Sequence, residues 1–225
     1  MLPSTTEGPS TITVISANVE FDNVDAAPLL NWVGRESPDI VVLLEVNERY
    51  AARLAALKAY PHRRIVPRDD PFGIALLSRH PVTHVSVIED AIGVPHIEAE
   101  VDWNGQRMRV LAVHPMPPLS ANFAAERDAK LAAWSKNLAS AGMPGIIIGD
   151  LNATPWSSAF RGVGAAGLKR TTSLGPTWPS ALQGLMGIPI DHVLATRDWR
   201  RVASSLGPDL GADHRPVIVR LRPAQ

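Results

Sequence analysis

Four polar residues of this 225-residue chain each come at the end of an apolar run: Asn18, Glu45, His114 and Asp150. Buried strands deliver side chains to a shared rim, and open α/β sheets bind ligands at such a rim. Any strand must end in some polar residue, so one of them alone carries little information. Together they supply carboxylate, amide and imidazole groups, which favours a shared functional site over chance.

The segment Gly149–Pro155 is the most specific single stretch of the sequence. Asp150 and Asn152 are two residues apart, so they face the same side of an extended segment. Thr154 followed by Pro155 is typical of the N-cap and first turn of a short helix. Asp and Asn are also common in loops between strands and helices, which is the alternative interpretation of this stretch.

The dipeptide Asp-His occurs twice, at Asp191-His192 and at Asp213-His214, each time beside an apolar run. A carboxylate that accepts a hydrogen bond from an imidazole fixes its tautomer and favours its charged form. Asp191 and His214 form such a pair if their strands lie side by side. The alternative is that both dipeptides only cap strands. His192 has no partner that the spacing identifies, and we predict a structural role for it.

Five blocks occur in an order that resembles the endonuclease/exonuclease/phosphatase superfamily: Ser16–Glu20, Leu44–Val46, Gly149–Asn152, Ile190–His192 and Gly211–His214. This superfamily includes pancreatic-type deoxyribonucleases, apurinic/apyrimidinic endonucleases, sphingomyelinases and inositol-polyphosphate phosphatases. The resemblance implies an α/β (α+β) fold of four layers, with two packed, mostly antiparallel β-sheets flanked by α-helices.

The resemblance also implies a site for Mg²⁺, with Mn²⁺ as a substitute. Glu45 matches the main metal ligand, and Glu20 and Asp213 match positions that support the metal directly or through water. Carboxylate oxygens and retained waters are the ligands that Mg²⁺ prefers. Asn18 and Asn152 match neutral donors that hold the phosphate and the attacking water.

The remaining catalytic roles follow from the same resemblance. Asp150 matches the residue that orients or deprotonates the attacking water. His214, held by Asp191, matches an imidazole that contacts a non-bridging phosphate oxygen. His114 matches a position that is histidine in some members and tyrosine in others. It either assists the leaving oxygen or contacts the phosphate, and these two roles stay open.

The wider pattern alternates short apolar runs with amphipathic stretches, which indicates mixed α and β structure. The pair Asn104-Gly105 indicates a two-residue β-hairpin. A hairpin-rich middle argues against a purely parallel sheet and favours two packed sheets with helices outside. Strands are predicted over Thr11–Asn18, Ile40–Leu44, His62–Val66, Gly73–Ser78, Val82–Ile88, His96–Trp103, Arg107–Val113, Gly145–Gly149, Ile190–Ala195 and Pro216–Leu221. Helices are predicted over Ala26–Glu36, from Asn47 to about Ala59, and over Ala121–Ser140.

Composition limits the class of protein. The chain is 45% apolar and 20% charged, which is typical of a globular protein, and it contains no cysteine, which excludes disulfides and thiolate sites. Residues 1–10 are predicted to be a flexible tail and residues 11–225 a single catalytic domain, acting as a monomer. No run is apolar enough to span a membrane and the tail lacks the apolar run of a signal peptide. We therefore expect a soluble protein, with a cytoplasmic location favoured.

The 22 basic residues balance the 22 acidic ones. Proteins that coat DNA are usually basic, so neutrality weighs mildly against that class, although a local basic patch suffices for an enzyme. We predict a metal-dependent hydrolase, a nuclease that acts on DNA phosphodiester bonds. The alternative is a phosphatase or phospholipase-type phosphodiesterase acting on phospholipid, inositol phosphate or another small phosphate ester. A catalytically silent binding module is disfavoured, because Glu45, Asp150, Asn152 and His214 are all present.

Overall fold

The computed structural model describes residues 11–181 and 186–224, so the predicted tail over residues 1–10 lies outside the described residues. Runs of β-branched and apolar residues form most of the strands. In chain order these are β1 (Ile12–Asn18), β2 (Ile40–Leu44), β3 (His62–Val66), β4 (Ile74–Ser78), β5 (Val82–Glu89), β6 (Pro95–Trp103), β7 (Gln106–Val113), β8 (Gly145–Asp150), β9 (Lys169–Arg170), β10 (Asp191–Ala195), β11 (Trp199–Leu206) and β12 (Val217–Pro223). The helices are α1 (Ala27–Glu36), α2 (Glu48–Arg53), α3 (Ala121–Ala139) and α4 (Ala159–Ala165).

The strands form two six-stranded sheets. The first has the order β11-β12-β1-β2-β4-β3, and the second has the order β5-β6-β7-β8-β10-β9. Within the described residues, neighbouring strands are antiparallel except for β1 with β2 and β7 with β8. The carboxyl ends of these four strands, together with the starts of β10 and β12, therefore lie at one end of the two sheets.

The alternation of side chains along each strand produces four layers. On β1, Ile12 and Val14 join the core between the sheets, whereas Ile15 and Ala17 pack towards the helices. Helices α1 and α2 cover the outer face of the first sheet, and α3 and α4 cover that of the second. The predicted sandwich of two mostly antiparallel sheets between helices is confirmed.

Some local predictions were wrong. Helix α2 ends at Arg53 and a single 3₁₀ turn follows it, so the predicted helix to about Ala59 is too long. Thr154 begins a turn closed by Ser157 N–H, and α4 starts only at Ala159. Strands β9 and β11 were not predicted, because β11 is an exposed edge strand and lacks the apolar alternation of a half-buried one. No helix in the described parts of the chain is long and apolar enough to cross a membrane.

Candidate active site

The chemistry-bearing side chains lie at one end of the core between the sheets. Side chains two residues apart on a strand share a face. Ile146 and Ile148 of β8 belong to this core, so Asp150 continues their face. Three further polar residues also stand an even number of positions from side chains that face this core. They are Asn18 after Val14 of β1, His114 after Val110 and Ala112 of β7, and Asp191 before Val193 of β10.

Four buried ionisable residues meet there. His214 Nδ1 lies 2.8 Å from Asp191 Oδ2, so the predicted contact between these residues is present. His214 Nε2 lies 3.7 Å from Asp150 Oδ2, and His114 Nε2 lies 3.6 Å from the same oxygen. Asp150 and Asp191 are directly opposite each other on β8 and β10. The carboxylate of Asp150 is therefore flanked by two imidazoles and is almost fully buried.

Burial and charge shift the pKa values of this group in different directions. Burial, reinforced by Asp191, raises the pKa of Asp150 to about 6. Burial disfavours the charged form of His214. The negative charge and hydrogen bond of Asp191, followed by the charges of Asp150 and Asp213, outweigh this effect and raise the pKa of His214 to about 10. Burial lowers the pKa of His114, although Asp150 opposes this. At neutral pH we therefore expect ionised Asp150, charged His214 and neutral His114.

His192 takes no part in this group. Neighbouring residues on a strand point to opposite faces, so the side chain after Asp191 faces the helices. His192 Nε2 lies 3.0 Å from the carbonyl oxygen of Ala153, and its Nδ1 lies 3.2 Å from the hydroxyl of Thr172. The predicted structural role of His192 is confirmed by these contacts.

A second group is acidic and more open to solvent. Asn18 Nδ2 donates to Glu45 Oε1 at 2.7 Å, and Phe21 N–H donates to Glu45 Oε2 at 2.9 Å. Asp213 N–H donates to Glu20 Oε2 at 3.2 Å. Burial raises the pKa of Glu45 and of Glu20, and the charge of Asp213 raises both further. These carboxylates repel one another, and the charged imidazole of His214 lies 4.0 Å from Asp213 Oδ1.

This acidic group fits a divalent cation. Glu45, Glu20 and Asp213 offer several carboxylate oxygens next to solvent, which suits an ion that takes oxygen ligands and keeps some of its waters. Among the described residues, the one group of three whose ligand atoms all lie within 4.8 Å of one another is Asp150, Asp191 and His214. Asp191 accepts from His214 Nδ1 and favours the charged imidazole, so a metal ion at Nε2 would have to displace a proton. The acidic group offers oxygen ligands alone, the set that Mg²⁺ prefers.

Asn152 is held by three contacts. Its backbone N–H donates to Asp150 Oδ1 at 2.8 Å, and its side-chain Nδ2 donates to the carbonyl oxygen of Pro115 at 3.0 Å. The guanidinium of Arg127 donates to its carbonyl oxygen. Arg127 is buried on α3, four residues before buried Leu131, and this position on the apolar face was the signal that sequence reasoning missed.

Three of the predicted site residues have left-handed backbone conformations. The φ angles are 62° at Glu20, 63° at Glu45 and 49° at Asn152. Such angles are uncommon for residues other than glycine, and they cluster at functional sites. Each occurs just after a strand ends, where the backbone must turn to bring the side chain over the end of the sheet.

Two aromatic residues flank the histidines. The ring centroid of Phe72 lies 5.5 Å from that of His114, and Trp178 lies 6.4 Å from His214. Trp178 Nε1 donates to Asp213 Oδ2 at 2.9 Å, and its side chain is partly exposed. Trp156 is exposed at the surface, whereas Trp103 is buried in the core between the sheets.

The sequence and fold of the chain are similar to those of known proteins. A profile of the Endonuclease/Exonuclease/phosphatase family matches residues 15–214. D. rerio TDP2, solved in complex with a single strand DNA product, has a TM-score of 0.78 and 18% identity over 95% of this chain and 99% of that chain. A humanized D. rerio TDP2 with 14 mutations gives 0.79 and 18% over the same shares of the two chains.

A bacterial structure is equally similar in fold. The endonuclease/exonuclease/phosphatase from Beutenbergia cavernae has a TM-score of 0.79 and 23% identity, over 96% of this chain and 72% of that chain. No significant match was found among curated protein sequences. The solved structures show a shared fold, and the profile covers nearly all the strands that carry the site. The chain therefore belongs to the endonuclease/exonuclease/phosphatase family of phosphoesterases.

Proposed function

We propose that this protein is a Mg²⁺-dependent nuclease, with Mn²⁺ as a substitute, that hydrolyses DNA phosphodiester bonds. The observation that carries the proposal is the buried carboxylate of Asp150 between His114 and His214, next to the acidic group around Glu45. Family membership supports hydrolysis of a phosphoester. The similar fold of D. rerio TDP2, which was solved with a single strand DNA product, supports DNA as the substrate.

Asp150 is the group that orients and deprotonates the attacking water. The N–H of Asn152 fixes Oδ1, while Oδ2 faces the two histidines. With a pKa of about 6, Asp150 is ionised at neutral pH and is still a stronger base than an exposed carboxylate. Because this base is held in a fixed position, less entropy is lost when the reactive geometry is reached.

His214 supplies fixed positive charge for a non-bridging phosphate oxygen. Its orientation is set by Asp191, which also keeps the ring protonated. His114 is neutral at neutral pH, because burial lowers its pKa. A neutral imidazole is a poor proton donor, so this favours hydrogen bonding by His114 to the phosphate or leaving oxygen over full proton transfer.

Glu45 would hold the metal ion, with Glu20 and Asp213 in support, directly or through water. The bound ion would supply positive charge that offsets the negative charge of the phosphodiester, and it would polarise the phosphate for attack. Asn18 donates one N–H to Glu45 Oε1 and thereby orients this carboxylate, just as Asn152 donates one N–H to the carbonyl oxygen of Pro115. The second N–H of each amide keeps the expected role of a donor to the phosphate and the attacking water.

One observation favours the alternative, a phosphatase or phospholipase-type phosphodiesterase acting on phospholipid, inositol phosphate or another small ester. A cavity of about 280 Å³ lies beside Glu45 and contains more carboxylates than basic groups. Its lining is Phe21, Asp22, Val24, Asn47, Glu48, Arg49 and Asp69. An acidic cavity repels a polyanionic backbone and extra phosphate groups alike, so within this alternative it suits a phosphodiester with a hydroxyl-bearing or cationic headgroup.

The test is hydrolysis of a single-stranded oligonucleotide, plasmid DNA, bis(p-nitrophenyl) phosphate and inositol phosphates, each with Mg²⁺, Mn²⁺ or EDTA. The proposal expects cleavage of DNA and of the small diester that stops in EDTA. Cleavage of the inositol phosphates without DNA cleavage would replace the nuclease by the alternative. Absence of hydrolysis on every substrate would contradict both.

A further inference from the structure

Thr177 lies in the segment between β9 and β10, next to the buried contact of Asp191 with His214. An isolated bridge between Trp178 and Ile188 folds this segment back on itself, and Thr177 N–H donates to the carbonyl oxygen of Ile188 at 3.0 Å. The side chain of Thr177 is only 1% exposed. Its hydroxyl must therefore find its hydrogen-bond partners inside the protein.

The hydroxyl of Thr177 holds the backbone at the start of β10. Its Oγ1 accepts hydrogen bonds from two successive N–H groups, that of Ile190 at 3.0 Å and that of Asp191 at 3.1 Å. It donates to the carbonyl oxygen of Ile188, at 3.4 Å. A hydroxyl has one proton to donate and two lone pairs that accept. Its full capacity is therefore spent on one short stretch of backbone.

The N–H of Asp191 needs this acceptor because strand pairing does not reach it on one side. Strand β9 pairs with β10 only at Leu194 and Ala195, at the end of β10 that lies away from the site. Thr177 Oγ1 takes the place of the backbone acceptor that a longer β9 would supply at Asp191. A buried N–H group without an acceptor is costly, so this side-chain contact is a required part of the local structure.

The carbonyl oxygen of Thr177 holds the other partner of the buried contact. It accepts from Arg215 N–H at 2.7 Å, and Arg215 directly follows His214. His214 Nδ1 in turn lies 2.8 Å from Asp191 Oδ2. Three contacts thus close a ring from Thr177 to Asp191, on to His214, and back to Thr177 through the neighbouring backbone. The ring joins three separate segments of the chain.

Little else holds the carboxylate of Asp191 in place. Its buried Oδ1 has no hydrogen-bond partner among the residues that the structure describes. Its Oδ2 is bound by His214, which is the group that it orients. The direction of this side chain is therefore set by the backbone of Asp191, and Thr177 fixes that backbone.

The same hydroxyl is linked to the segment that carries Asp150. Thr177 holds the N–H of Ile190, and the carbonyl oxygen of Ile190 accepts from Leu151 N–H at 2.9 Å. Leu151 directly follows Asp150. A shift of Ile190 would therefore reach the base as well as the buried contact.

We propose that Thr177 is a positioning residue, whose hydroxyl and carbonyl oxygens fix Asp191 and His214 in the geometry that hydrolysis needs. It acts through these two side chains and does not itself touch the reacting atoms. The inference rests on the proposed hydrolysis of a phosphodiester. The alternative is that Thr177 contributes only to the stability of the fold, as any buried and fully paired hydroxyl does.

Three variants separate these two roles. Thr177→Val removes the hydroxyl and keeps the shape of the side chain, whereas Thr177→Ser keeps the hydroxyl. Thr171→Val is the matched control, because Thr171 is also buried and its Oγ1 donates to the carbonyl oxygen of Val193 at 2.8 Å. The control thus loses a buried hydroxyl bound to β10 and leaves the N–H of Asp191 paired.

Each variant is measured in three ways. Steady-state kinetics on bis(p-nitrophenyl) phosphate give kcat and KM, and denaturant unfolding gives stability. Proton NMR of the metal-free protein detects the far-downfield Nδ1–H proton of His214 in its hydrogen bond with Asp191. The absence of this signal in His214→Ala assigns it.

We expect kcat of Thr177→Val to fall about 10- to 100-fold with little change in KM, because a small misplacement of a catalytic group has an effect of this size. The downfield signal should shift or broaden in the same variant. Thr177→Ser should restore both, and Thr171→Val should keep both even where it lowers stability. If Thr177→Val does not fold, Thr177→Cys replaces it, since a thiol is a weak acceptor and should give an intermediate loss of kcat.

A folded Thr177→Val variant that keeps either the wild-type kcat or the wild-type signal would overturn the proposal. An equal loss of kcat in Thr171→Val would overturn it as well, because the loss would then follow any buried hydroxyl on β10. If the wild type hydrolyses no phosphodiester, the proposed function fails, and the NMR signal alone decides whether Thr177 fixes the pair. Failure of one proposal is thus distinguishable from failure of the other.

Discussion

Asp191 Oδ2 accepts a hydrogen bond from His214 Nδ1 across 2.8 Å, and both side chains are buried. Asp191 begins β10 in the second sheet, whereas His214 precedes β12 in the first. The contact therefore ties the two sheets together at the site end. It also fixes the imidazole ring with Nε2 at 3.7 Å from Asp150 Oδ2. One hydrogen bond thus links the packing of the sheets to the geometry of the site.

Replacement of Asp191 by asparagine should lower kcat far more than it changes KM. The amide no longer stabilises a charged imidazole, and it can hold the ring in the wrong tautomer, an effect that reaches about 10⁴-fold in a comparable triad. Loss of the partner of a buried charge also costs about 3 kcal/mol of stability. Steady-state kinetics on bis(p-nitrophenyl) phosphate and denaturant unfolding measure the two effects. An unchanged kcat in this variant would show that Asp191 does not assist catalysis.

Replacement of Glu45 by glutamine tests the acidic group as the metal site. Mg²⁺ should raise the Tm of the wild type, because a ligand that binds only the folded state stabilises it. The variant should lose this rise. Without metal, the removal of one repelling carboxylate opposes the loss of one of the two hydrogen bonds that Glu45 accepts, so the two proteins should then differ little in Tm. Glu36→Gln, at the carboxyl end of α1 and away from the site end of the sheets, is the matched control and should keep the rise. An undiminished Mg²⁺ effect in Glu45→Gln would place the metal elsewhere.

Arg127 positions Asn152 through the carbonyl oxygen that it contacts. The change Arg127→Met leaves that oxygen without its donor and should cost about 1–3 kcal/mol of stability. We also expect kcat to fall about tenfold, a loss typical of a misplaced catalytic group. In an Asn152→Gly background, which keeps the left-handed backbone, the stability loss should persist and the kcat effect should vanish. A kcat effect of equal size in both backgrounds would limit Arg127 to a structural role.

Gly149 lets β7 and β8 approach closely just before Asp150. Its φ is 150°, and a Cβ atom there would lie 1.9 Å from the carbonyl oxygen of Val113. Gly149→Ala should therefore cost more than about 2 kcal/mol and displace the adjacent catalytic carboxylate. Gly164 on α4 has no heavy atom within 4 Å of such a Cβ, so Gly164→Ala should stabilise by up to about 1 kcal/mol. Thermal unfolding measures both effects: the Tm should fall in Gly149→Ala and rise in Gly164→Ala. Equal Tm values for the two variants would contradict the prediction.

Much of the site could be predicted because its residues end apolar strands. The alternation that buries Ile146 and Ile148 also directs Asp150 to the same face, and this is visible in the sequence. The pairing of Asp191 with His214 could be predicted only on the assumption that their strands lie close together, and the structure shows the contact. The engagement of Asn18 by Glu45 depends on two loops that turn through left-handed residues, for which the side-chain pattern gives no signal.

The contact of Arg127 with Asn152 could be predicted only in part. The position of Arg127, four residues before buried Leu131, marks the apolar face of α3 and is visible in the sequence. Its partner is a backbone carbonyl oxygen, which every residue offers, so the side-chain pattern does not identify Asn152. Long-range packing of α3 against the loop after β8 decides that contact.

The pH dependence of bis(p-nitrophenyl) phosphate hydrolysis by the wild type and by Asp150→Asn tests whether ionised Asp150 drives hydrolysis. Burial and Asp191 raise the pKa of Asp150 to about 6, so wild-type kcat should fall as the pH drops below about 6 and the base becomes protonated. The folded variant should lose about 10²–10⁴-fold in kcat and lack this acidic limb. A folded Asp150→Asn variant with near wild-type kcat and the same acidic limb would contradict the account.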